Sequence, residues 1–262
     1  MNIGRIKGIF FQEFFITRRS LEIIMDVIFF PIVSMIVFGF ISTYLVGKTG
    51  SIVANYALLG ILLWNLIHEV QYSVAVGALW NVWSRNLSNM FISPLTLGEY
   101  LVGHIFMGIT KALLLLVLES VLAIIFFKFN ILAIGLTNLV IYFLNLTIFG
   151  WSIGIFALGL IFRYGTRIQA IAWNIVFLFQ PLTAAFFPVS VLPPVLQSLA
   201  YAFPSTYIFE AARANLNDVS TQWSMITPAI LINIVYFVLS LGFFKVMFER
   251  SKRIGQFARN EQ

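Results

Sequence analysis

The chain has 262 residues, 60% of them hydrophobic and only 10% charged, with a mean hydropathy of +0.96 and a formal net charge of +6. A soluble domain carries about 25% charged residues, so too little polar surface is present for a soluble globule, and the solvent is a bilayer. Cysteine is absent, which excludes disulfides and cysteine metal sites, and the basic residues gather at the ends of apolar runs, where lipid headgroups rather than nucleic acid account for them.

No polar linker divides the chain, so 1–262 reads as a single membrane domain. Residues 1–22 open it. Ile3, Ile6, Phe10 and Phe14 recur at steps of three and four, Phe11 and Phe15 stand beside them, and Arg5, Lys7, Gln12 and Glu13 take other angles. That spacing predicts an amphipathic helix lying in the headgroup layer. A cytosolic extension of the first span is the other reading.

Apolar runs follow at 23–46, 52–79, 101–127, 131–162, 168–187 and 225–248. A spanning helix needs roughly 20 mostly apolar residues, and none of the runs alternates as a barrel strand would. The expected fold class is therefore all-α integral membrane, with six transmembrane helices, five of them within 23–187. The first run is longer than a signal-peptide core and no small-residue cleavage site follows it, so it is expected to remain as a span.

With the N-terminus placed inside, twelve Lys and Arg fall on the inner side and three, Lys48, Lys128 and Arg213, on the outer side, while Lys111 lies in a span. This bias predicts a multi-pass protein of the cell inner (plasma) membrane with both termini cytoplasmic. The longest inner loop, about 80–98, carries Arg85, Asn86, Ser88 and Asn89 before Pro94 stops any helix. Thr96 and Glu99 then have the spacing of a capping box. A short helix across the inner surface is expected, either as a docking surface for a cytoplasmic partner or as a plain connector. In the shorter inner loop, Arg163 and Arg167 read as headgroup anchors.

Four of the eight prolines, Pro188, Pro193, Pro194 and Pro204, fall within 187–213. An apolar stretch so interrupted cannot be one helix. The charge count places it outside, where a re-entrant pair of short helices over 188–224, about Val195 to Phe203 and Pro204 to Asn215, reconciles the prolines with the apolar content. Residues 225–262 supply the sixth span and a cytoplasmic tail.

Polar residues inside spans are costly and are functional candidates. Asn65, Glu69 and Tyr72 share a helix face with His68 adjacent; Asn138, Tyr142 and Asn145 share another; Gln169, Trp173 and Gln180 a third; Lys111 and Glu119 lie in the third run. Each is either interhelical glue or part of a pathway for an amphiphile. Asn65, Glu69, Tyr72, Tyr142, Asn145, Trp173 and Gln180 are the pathway candidates, joined by Tyr201 and Tyr207 of the hairpin, which either touch cargo at an exit or brace the hairpin.

Gly150-Trp151-Ser152-Ile153-Gly154 fits the G-x-S-x-G nucleophile elbow. It lies within an apolar helical run, and the two histidines, His68 and His104, have no evident relation to it. The same glycines permit close helix packing, which is the expected role, so no catalytic residue is assigned. The chain has no G-x4-G-K-[ST] phosphate cradle and, with two histidines and no cysteine, no expected metal site.

The whole pattern resembles the membrane subunit of type-2 ABC exporters. The resemblance is carried by Leu192-Pro193, by Pro204-x-x-Tyr207-x5-Arg213, and by the segment 87–103, in which Ser93-Pro94-Leu95 and Glu99 match best. Ser205 departs from the apolar residue usual there, and the start of the late signature near Val176 and Phe179 is imperfect. The resemblance implies an interfacial N-terminal helix, a coupling helix before the third span and an outer helical hairpin before the sixth. It implies an exporter of amphiphilic or lipid-linked cargo, a glycan, lipid or hydrophobic drug, working as a homodimer or with a close homologue. A separate ATP-binding subunit would dock on Arg85, Asn86, Leu87, Ser88, Met90 and Pro94 and would bind ATP and Mg, so this chain itself needs no cofactor. The alternative is a proton-coupled secondary transporter using Glu69, His68 and Glu119.

Overall fold

The computed structural model describes the backbone of residues 1–49, 51–84 and 86–253, and the side chains of these except at 45–54, 87, 88, 91 and 166. All the regular elements among them are helical. Helix α1 (Ile3–Arg19) starts where the Asn2 side chain accepts from the Gly4 N–H, and it ends at Ser20. Ser20 then caps α2 (Leu21–Ile24) by accepting from the Ile23 N–H. Helix α1 buries Ile9 and Glu13 and leaves Phe11, Phe14 and Phe15 exposed. An exposed aromatic stripe on a surface helix suits the headgroup boundary.

A π turn, Met25–Phe29, joins α2 to α3 (Phe30–Thr49). It sits just before Pro31, whose ring would collide with the carbonyl four residues back in a regular helix, and the wider turn relieves that clash. Leu21–Tyr44 is one of four helices among the described residues that are long and apolar enough to cross a membrane; the others are Leu97–Phe127, Leu136–Tyr164 and Trp223–Arg253.

Helix α4 (Ser51–Trp83) is the axis of the fold. Its 33 residues rise roughly 50 Å. From Leu58 to Val82 almost every side chain is buried, because α3, α6 and α7 pack around it. Its many polar residues are therefore shielded by protein. After α5 (Leu87–Ile92) the chain turns at Pro94, and α6 (Leu97–Phe127) begins with the capping box that the spacing predicts: Thr96 and Glu99 each bond the other's backbone N–H.

The run at 131–162 is divided. A 3-10 turn, Ile131–Ile134, ends at Gly135, whose φ of +90° few other residues adopt, and α7 (Leu136–Tyr164) follows. On α7 the two glycines of the elbow-like motif pack on α4. A Cβ on Gly150 would lie 2.2 Å from Val70 Cγ2 and 2.8 Å from the Ile67 carbonyl, and one on Gly154 3.0 Å from the Gln71 carbonyl. The Ser152 hydroxyl between them donates back to the Ile148 carbonyl.

The fifth run does not form one helix. It gives α8 (Gln169–Asn174), a 3-10 turn over Ile175–Leu178, and then irregular chain. The helical part rises about 15 Å, half a hydrocarbon core. Pro181 removes a backbone donor just where the helix would continue. The irregular backbone packs against α4 at Gly60, where an added Cβ would meet the Ala185 carbonyl at 2.2 Å. That carbonyl also accepts from Arg213 at 3.2 Å.

The proline-rich window folds as two short helices, α9 (Pro194–Ala200) and α10 (Pro204–Ala214), each with proline in its first turn. Glu210 clamps them. Its Oε1 accepts from the Val189 N–H and from Arg213 Nη2 at 2.7 Å. Helix α11 (Trp223–Arg253) returns along α7 to the end that carries α1, where the Ser251 hydroxyl donates to the Phe162 carbonyl.

Candidate functional site

A cavity of about 430 Å³ lies beside α4. The first span segment contributes Asp26, Phe30, Pro31, Ser34 and Phe38. Helix α4 contributes Ile61, Trp64, Asn65, His68 and Tyr72. Helix α8 and the chain after it contribute Trp173, Asn174, Phe177 and Gln180. The cavity lies where α8 ends at Asn174 and the chain goes on as the 3-10 turn Ile175–Leu178. Gln71 holds α8 in place by donating to the Ala172 carbonyl at 2.8 Å.

Within the cavity the polar groups are positioned by long-range bonds. Tyr72 donates its hydroxyl to Asp26 Oδ2 at 2.9 Å. The Asn65 amide donates to Glu119 Oε1 of α6 at 2.6 Å, which links the cavity wall to a fully buried carboxylate. The His68 ring lies 5.3 Å from Phe177 and 6.2 Å from Tyr72, and Trp173 stacks on Trp83 at 5.6 Å. Phe30 and Phe177 are 56% and 46% exposed, so the cavity opens where they stand. An apolar, aromatic lining with a few convergent polar groups is the usual composition of an organic-ligand site.

Of the pathway candidates, Asn65, Tyr72, Trp173 and Gln180 meet here. The others lie elsewhere. Glu69 is fully buried, with neither carboxylate oxygen hydrogen-bonded, near Lys111 and Glu119 of α6. The Tyr142 hydroxyl donates to Asn215. Asn145 accepts from Asn233 of α11 and lines a separate groove of about 310 Å³ between α7 and α11. Tyr201 and Tyr207 pair with each other on the hairpin, ring centroids 5.2 Å apart. Asp26, Trp64, Phe30, Phe38, Phe177 and Asn174 also line the cavity without having been singled out. Asp26 did carry a signal, as an acidic residue inside an apolar run.

At the end that holds α1, the expected docking segment is tied to the interfacial helix. Arg85 lies outside the described residues, and for Leu87 and Ser88 only the helical backbone of α5 is described. The Asn86 N–H donates to the Asn81 carbonyl at 3.1 Å, Met90 is buried, and the Pro94 carbonyl accepts from Arg5 of α1. Glu99 joins these parts: it accepts from the Asn2 and Thr96 N–H groups and faces Arg5 at 3.5 Å. Deeper in the same seam, Glu13 of α1 sits 4.0 Å from His104 of α6, and Gln12 donates to Asn81 of α4. At the tip of α5, Ile92 is 82% exposed.

Residues 6–217 match the model of a family described as ABC-2 type transporter. A comparison with curated proteins gives no match.

Proposed function

The chain belongs to the ABC-2 type transporter family, whose members are transmembrane subunits of ABC transporters, and from that membership we propose that it is the permease of an ATP-driven exporter of amphiphilic cargo. The observation that carries this reading is the laterally open cavity. It is walled on one side by the candidate span Leu21–Tyr44 and is lined by Asp26, Asn65, His68, Tyr72 and Gln180. Hydrocarbon cannot satisfy such groups. A second copy of the chain, meeting the first at this face, would cover them and enclose a pathway between two symmetry-related cavities. The chain would cross the membrane six times, with α4 as the second crossing and the broken 169–187 segment as the fifth. That broken segment is acceptable in a bilayer because Gly60 of α4 and Arg213 pack against its backbone.

An ATP-binding subunit, carrying ATP and Mg, would dock on the α5 segment, Arg85, Asn86, Leu87, Ser88, Met90 and Pro94, with Ile92 as an apolar knob. Movement there would reach α1 and α6 together, because Glu99 and Arg5 join the three. On the basic bias, this end would face the cytoplasm, and both termini with it. The site residues for cargo are those that line the cavity.

The absence of native cysteine allows a direct test. Single cysteines at Phe30, Phe177 and Leu178 should give cross-linked pairs in membranes, whereas one at Leu239 on α11 should not. No pairs from any rim position would overturn the dimer. Export from vesicles should require a partner ATPase and ATP. A proton-coupled transporter remains the second reading because Glu69 and Glu119 sit buried on adjacent helices with three of their four oxygens unpartnered. Transport driven by a proton gradient without an ATPase would select it.

A further inference from the structure

Among the described residues that line the cavity, Asp26 is the only carboxylate, and none is lysine or arginine. The bond from Tyr72 occupies Oδ2, while Oδ1 is unbonded and no cationic group lies within ion-pair distance among the described residues. Glu22 stands one helical turn earlier on the same face and is exposed. A carboxylate in a membrane span is normally paired with a cation or with backbone donors. Asp26 has a phenol only.

The walls around Asp26 are aromatic. Tyr72 connects it to His68, and His68 to Phe177; Trp64, Trp173 and Phe30 complete the lining. Indole and phenyl faces attract cations and repel anions. A two-fold related copy would bring a second Asp26 and a second set of rings to the same space.

We propose that this cavity selects cationic, aromatic-compatible amphiphiles, the cargo supplying the counter-charge that Asp26 lacks. The inference rests on the permease reading for the word cargo, but the preference itself belongs to the cavity. It disfavours a phosphate-bearing lipid, whose anion would lie against an uncompensated carboxylate with no lysine or arginine to receive it. Asp26 is the specificity-determining residue, and Tyr72 positions its carboxylate.

The test uses two isosteric probes, tetraphenylphosphonium and tetraphenylborate, and the purified full chain in nanodiscs, with protein-free nanodiscs subtracted. Saturable binding of the phosphonium and none of the borate is expected. Asp26→Asn should weaken phosphonium binding by about tenfold or more, the loss of one charge-assisted contact, and Asp26→Glu should retain most of it. Tyr72→Phe should weaken it by a smaller factor. Equal binding of both ions, preference for the borate, or an unchanged affinity in Asp26→Asn with the fold intact by circular dichroism would each overturn the proposal. The rim-cysteine experiment separates the two readings. Cross-linked pairs without phosphonium binding would sink the cation preference alone, and phosphonium binding by a chain that never pairs would sink the dimeric permease alone.

Discussion

Helix α4 meets its neighbours in two different ways. Against α7 it forms a closed seam, where Gly150 and Gly154 bring the two backbones so near that a single added carbon would touch Val70 or the Ile67 and Gln71 carbonyls. Against the fifth segment it leaves space: α8 ends at Asn174, Gln71 bonds the Ala172 carbonyl within α8, and Gly60 meets the following chain at Ala185. The same helix therefore carries a closely packed face and a face that lines a cavity. Tight packing needs an unbroken neighbour with small residues, and a cavity needs a neighbour that stops.

The sharpest way to break this contrast is Gly150→Val. Its side chain has no room, so a loss of about 3 kcal/mol is expected from overpacking, read as a large drop in thermal midpoint and in monodisperse yield. Next comes Arg213→Met, which removes the guanidinium that donates to Glu210 and to the Ala185 carbonyl. The cost should be about 2 kcal/mol, below that of a fully buried pair because the Glu210 side chain is 22% exposed. Faster proteolysis within 185–214 than elsewhere would show that the hairpin loosens locally. Thr96→Ala removes the cap of α6 and should cost about 1 kcal/mol, leaving the cavity's binding unchanged.

The smallest effect is expected on the open side. Asn174 bonds only the Ala170 carbonyl of its own helix, so Asn174→Ala should shift stability by no more than about 0.5 kcal/mol. A shift as large as that of Gly150→Val would erase the distinction between the two faces. A pH titration sharpens the same point at the loop between α10 and α11. Ser220 donates its hydroxyl and its N–H to Asp218, which holds that carboxyl below the usual aspartate range. A depressed folded value stabilises above the unfolded value and is lost as pH falls. Acid should therefore loosen this loop, and Ser220→Ala, which leaves only the backbone N–H bond, should reduce that acid dependence, as followed by hydrogen exchange over 216–222.

What could be read from the sequence was local. The Thr96–Glu99 box, the proline-led hairpin helices, the amphipathic α1 and the glycine spacing on α7 each depend on residues a few positions apart, and each is present. The break of the fifth run was not legible, because hydropathy counts apolar residues and is blind to Pro181 and to the backbone partners that make a broken segment tolerable. The candidate site was half legible for the same reason. Asn65, Tyr72, Trp173 and Gln180 share the cavity, whereas Glu69 is turned to α6, and Tyr142 and Asn145 find Asn215 and Asn233.

The amino-acid sequence by itself determined that this is a helical membrane protein, where its amphipathic first helix, its caps and its pair of short proline-led helices lie, and which family it resembles, since those follow from composition and from chemistry between near neighbours. Only the tertiary structure decided which polar residues are glue and which line a cavity, and that Asp26 faces that cavity without a counter-ion. The partners of an intramembrane polar group come from other helices, and a residue's position along its own helix does not say which neighbour its face will meet.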